Sequence, residues 1–203
     1  MFENVRGDAA RAAHHAGVTI GISQRHGFAG WLAAGAMQLG KAKAALGEAQ
    51  EAIGLVGNTL PAWQGSGAET TSSYFLSGLA EGYRAAGQDG QALEVVAQGL
   101  EHAQRLGEHW YDAELYRLRG ELLARREDTR AQAAAEFQRA IEVARSQGAR
   151  LFELRAAISL ARTLEGTAAG SRELLHKALA GYQGAQDSLE RRQAAALLEA
   201  LPV

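Results

Sequence analysis

The chain has 203 residues, 47% of them hydrophobic and 22% charged, so it can bury a core and is not disordered by composition. A formal net charge of -2 leaves no overall positive field for a phosphate backbone, which argues against a nucleic-acid partner. With 0 Cys, disulfides, thiolate metal sites and a cysteine nucleophile are excluded together.

The opening Met1-Phe2-Glu3-Asn4-Val5-Arg6 carries no apolar core of signal-peptide length, and no later stretch approaches the ~18 consecutive apolar residues of a membrane span. A cytoplasmic protein with no membrane partner is expected. Ala, Leu, Glu, Gln and Arg fill most segments, only 2 Pro occur, and β-branched residues cluster only at Val18-Thr19-Ile20. These are strong helix formers, so the expected fold class is all-α.

A leading helix is predicted over residues 5–26. By the repeat phase set out below, it is the second helix of a pair whose first helix is missing. Val5, Ala9, Ala12, Ala13, Ala16 and Ile20 give it more apolar surface than one contact needs. One face should pack on residues 28–45, and the other either pairs with its copy in a homodimer or meets an upstream domain. His14 and His15 are adjacent and point about 100° apart on a helix, so they cannot chelate one ion together.

Glycines able to end helices recur at Gly27, Gly67 and Gly107 in steps of 40, and Gly148 follows 41 later. Ala52, Ala92 and Ala133 keep nearly the same step, as do Gly40, Ala80 and Gly120. Two independent marker sets with one period signal stacked helix pairs. The pairs are predicted at 28–66, 68–106, 108–147 and 149–183, with a capping helix at 186–201. Gly47 and Gly87 make the turns within the first two pairs, while the third carries extra residues in its turn between Arg126 and Ala131. This is tetratricopeptide spacing, so the expected architecture is a right-handed superhelix of tetratricopeptide-like hairpins in a single repeat domain.

The remaining candidates for chemistry are sparse. Glu173 and His176 have the spacing of half a di-iron helix-bundle site, but no second such motif faces them. Ser66, Ser72, Ser73, Ser146 and Ser171 read as helix caps and not as nucleophiles. Trp31, Trp110, Phe137 and Phe152 stand at helical spacing and read as packing. No catalytic residue, metal site or cofactor is expected. If the first helix of each pair lines a concave face, a groove follows that holds Tyr74, Ser77, Glu81 and Arg84, then Glu114, Arg117 and Glu121, then Arg155 and Arg162. Its arginines suit the carboxylates of a peptide or effector. The alternative reading is a set of salt-bridged pairs on solvated faces, as for Arg125-Arg126 and Arg191-Arg192.

The wording of Trp31-Leu32-Ala33, Tyr74-Phe75-Leu76 with Leu79-Ala80-Glu81-Gly82-Tyr83, and the run from Glu108 to Leu123 resembles the C-terminal tetratricopeptide repeats of large bacterial signalling proteins. Those proteins carry a class III adenylate or guanylate cyclase domain and an ATPase domain upstream. Phe137 to Arg145 and Ala194 to Leu201 resemble the end of that region. This chain has no Gly-Lys-Ser or Gly-Lys-Thr phosphate loop and no cyclase-like pair of metal-binding aspartates. The resemblance therefore implies a non-catalytic interaction or sensory module. The rivals are a small-molecule effector domain, as in maltose-activator-like regulators, and a purely architectural fragment.

Overall fold

The structure, a computed structural model, describes residues 1–164, 168–185 and 188–201, and every regular element among them is helical. Eleven α-helices follow one another: α1 (Phe2–Arg6), α2 (Ala9–His26), α3 (Ala29–Ala45), α4 (Ala49–Gly65), α5 (Ser72–Ala85), α6 (Asp89–Leu106), α7 (Asp112–Leu123), α8 (Arg130–Ser146), α9 (Arg150–Thr163), α10 (Ala168–Gly181) and α11 (Leu189–Ala200). The predicted spans 149–183 and 186–201 include residues 165–167, 186 and 187, which lie outside the described residues.

The punctuation is finer than the predicted 40-residue step. Left-handed glycines fall every 20 residues, at Gly7, Gly27, Gly47, Gly67, Gly87 and Gly107, and Gly148 resumes the series. At Gly27 (φ 69°) and Gly47 (φ 84°) the chain turns through a conformation that carries a steric penalty for any residue with a Cβ. The third pair has no such glycine between its helices. A 3₁₀ turn at Glu127–Thr129 takes its place, held by Thr129 Oγ1 donating to the Leu123 carbonyl at 2.6 Å.

The predicted leading helix 5–26 is corrected by Gly7, whose φ of 80° ends α1 before Asp8 caps α2 by accepting from the Arg11 N–H at 3.1 Å. The five residues of α1 pack on α2 and α3.

The chain divides into two compact units, Met1–His109 and Trp110–Val203. In the first, α3 packs on α2 and α4, and α5 on α3, α4 and α6. Small residues set how close these helices come. A Cβ at Gly40 would stand 2.6 Å from the Val56 side chain, and Ala52, Ala80 and Ala92 are fully buried. In the second unit α8 packs on α7 and α9, which in turn holds α10 and α11. Its core joins Phe137, Ile141, Leu154, Ile158, Leu175 and Ala194.

Several local readings are corrected. Ser171 lies inside α10, which starts three residues earlier, and Ser72 and Ser73 have buried hydroxyls that make no hydrogen bond. Ser66 and Ser146 close the far ends of their helices instead, donating to the carbonyls of Trp63 and Val143. Among the described residues, the N-caps with side-chain hydrogen bonds are Asp8 and Ser188. Trp31 is not packing: it is 69% exposed on the first turn of α3. Among the described residues no helix is long and apolar enough to cross a membrane.

Candidate functional site

In the first unit the predicted groove residues form an interior. Residues Ser72 to Ala80 are buried without a break, and Tyr74 and Ser77 do not border solvent. The polar atoms there are joined to one another. Asn4 Nδ2 donates to Gln38 Oε1 at 2.9 Å, the Tyr74 hydroxyl donates to the same oxygen at 2.8 Å, and buried Lys41 donates to Ser77 Oγ and Glu81 Oε2, each at 2.8 Å. Glu81 and Arg84 are half-buried.

In the second unit Glu114, Arg117, Glu121 and Arg155 meet, but the two arginines face the protein's own carboxylates. Arg117 donates from Nε and Nη2 to the two oxygens of buried Glu114, at 2.9 and 3.1 Å, and from Nη1 to Glu121 at 2.5 Å. Arg155 reaches Glu114 at 3.6 Å and donates twice to Glu190 Oε1, at 2.9 and 2.7 Å. Burial alone would lower the Arg155 pKa, but the charges of Glu114 and Glu190 outweigh it and raise it above the ordinary guanidinium value. Ser159 ties in through Glu121 at 3.3 Å. Two guanidiniums among three carboxylates make a structural staple across α7, α9 and α11, and not an anion trap. Exposed Arg162 stands outside this network.

One cleft of the first unit, of about 500 Å³, lies among α1 to α5. Phe2, Trp31, Trp63 and Phe75 line it, with Gln38 and Thr71 among its polar residues. Phe2 and Trp31 are 68% and 69% exposed, whereas Trp63 is locked edge-on to Phe75 with ring centroids 5.9 Å apart. The Trp63 Nε1–H is buried without a hydrogen-bond partner. Thr71 holds a φ of 65°, which is strained for a β-branched residue, and its N–H donates to both oxygens of Glu108 at 2.8 and 2.9 Å. Strain held by a charged partner preorganises that wall of the cleft. The sequence reading missed Phe2, Trp63 and Thr71. The available signal was aromatic: two of the three tryptophans fall in the first 63 residues.

Among the described residues no cluster of three or more His, Asp or Glu side chains is placed to hold a metal ion. His14 and His15 are exposed, with rings edge to face at 5.5 Å, and Glu173 and His176 are exposed on α10.

The fold belongs to the all-α class. It is similar to that of BtubC (BKLC) from P. vanneervenii, whose crystal structure matches with a TM-score of 0.72 at 15% sequence identity, over 95% of this chain and 82% of that one. No protein-family model matches the chain. No curated protein matches it either.

Proposed function

We propose that the chain is a non-catalytic binding module, a right-handed superhelix of tetratricopeptide-like hairpins that takes a peptide segment of a partner protein in a bacterial signalling system. The observation that carries this reading is the cleft of about 500 Å³ walled by Phe2, Trp31, Trp63 and Phe75 on packed helices. Exposed aromatic rings on a rigid scaffold give large contact area at low entropic cost, as binding hot spots require. The polar networks around Lys41 and around Arg155 support the role by fixing the helices next to one another. The signalling context comes from the resemblance to the repeats of cyclase and ATPase regulators. A small-molecule effector is the second reading, favoured by a cleft volume inside the usual range for ligand pockets of ~300–1,000 Å³.

Selection of displayed random peptides on the immobilised chain, with Trp31→Ala as the parallel bait, tests the reading. Peptides enriched on the parent and lost on the variant support it. Enrichment equal on both places the binding surface away from the cleft and contradicts it.

A further inference from the structure

The residues lining the cleft include one acid, Glu3, and neither lysine nor arginine. Glu3 is poorly satisfied. Its Oε2 is buried and makes no hydrogen bond, and its other oxygen stands 3.9 Å from Arg11 Nη2, beyond hydrogen-bond reach. The other charged or titratable groups facing it are His15, on the cleft wall, and the α-amino group of Met1. Burial holds that amino group below its usual value of 8.0, with the charge of Glu3 acting in the opposite sense. Aromatic rings line the same cleft as Glu3, and one of them already takes a cation, since the Arg6 guanidinium carbon lies 5.5 Å from the Phe2 centroid.

A carboxylate without a hydrogen-bonded cation, set among aromatic rings, discriminates among ligand classes. An anion is repelled. A neutral apolar group gains the rings but leaves Glu3 as it was. A lysine-like ammonium gains the charge but loses strong hydration on entering. An alkylated ammonium gains both, because its charge is spread over carbon substituents that suit ring faces. We propose that this cleft binds an alkylated ammonium group, with its charge toward Glu3 and its methyl groups against Trp31, Phe2 and Trp63. The assignment rests on the cleft being the binding site of the module.

The test compares choline with its uncharged carbon isostere, 3,3-dimethylbutan-1-ol, by titration on the full chain. Tryptophan fluorescence and ligand-line NMR report the binding. Choline should bind at least tenfold more tightly than the isostere. Glu3→Gln should bring the two within about threefold of each other, and Trp31→Ala should weaken both. Equal affinity of the two probes for the parent chain overturns the ammonium assignment while leaving an apolar cleft. Saturable binding by neither also overturns the ammonium assignment, while the cleft's peptide reading stands or falls on the peptide selection, and neither of these outcomes depends on a variant folding. A peptide bearing trimethyllysine, titrated beside choline, separates the two sources of the group. Tighter binding of the peptide assigns a protein partner, and tighter binding of choline assigns a free small molecule.

Discussion

Gly120 lies directly against the ring of Phe137, so that a Cβ at position 120 would stand 2.5 Å from Cε1 and 2.7 Å from Cδ1 of that ring. Phe137 is 1% exposed and sits in the core of the second unit. Gly120→Ala should therefore destabilise the chain by about 1–3 kcal/mol through overpacking, although a helical glycine replaced by alanine usually gains about 1 kcal/mol. Gly17, also helical, would meet nothing within 4 Å. Gly17→Ala should stabilise by roughly 0.5–1 kcal/mol. Urea unfolding of the two variants gives opposite signs if the α7–α8 contact is as described.

Ala92 repeats this logic on α6, where it is fully buried at the position that carries the 40-residue alanine step. Ala92→Leu should cost about 1–3 kcal/mol. A variant that melts with the parent would remove Ala92 from the hairpin contact.

These two positions also show what the sequence could and could not tell. Small residues at fixed spacing report helix pairs because only they let two backbones approach, and the glycine turns report helix ends because only glycine takes a positive φ without strain. Both signals are local in the chain and were legible. The cleft was not, because Phe2, Trp31, Trp63 and Thr71 have no mutual spacing and meet only once α1 to α5 have packed. Tyr74 and Ser77 were misplaced for a related reason. A helical period assigns one face to solvent, yet the uncharged run from Ser72 to Ala80 belongs to a helix enclosed by α3, α4 and α6, and that missing charge was the readable clue.

The Arg155–Glu190 pair holds α11 to α9 with side chains only 16% and 6% exposed. Arg155→Met leaves Glu190 and Glu114 without this partner and should cost about 3–4 kcal/mol, the lower part of the range for a broken buried pair. Pairing it with Glu190→Leu should restore much of the loss. Hydrogen exchange localises the effect: α11 amides should exchange faster in the single variant, and unchanged exchange there would contradict the staple.

Glu153 is 2% exposed and accepts from Arg145 Nε at 2.7 Å and Arg150 Nη1 at 2.9 Å. Burial works to raise its pKa, but the two guanidiniums prevail and hold it below the ordinary 4.5. A carboxylate with a depressed folded pKa contributes stability that is complete above the unfolded value and lost as pH falls through the folded one. The parent should therefore lose stability steadily below pH 4.5. Glu153→Gln should be less stable at neutral pH and show a shallower acid slope. Parallel slopes in the two proteins would show that Glu153 does not carry this linkage.

The central claim is that the chain acts by binding at the cleft of α1 to α5, and amide shift mapping tests it most directly. Proton–nitrogen spectra of the full chain would be recorded with a collection of small aromatic, aliphatic and ammonium fragments. The account predicts that saturable shifts gather at Phe2, Gln38, Thr71 and Phe75, with the indole signals of Trp31 and Trp63 moving while that of Trp110 stays. Saturable shifts centred instead on Arg84, Arg162 or the outer face of α10, with Trp31 and Trp63 silent, would contradict it.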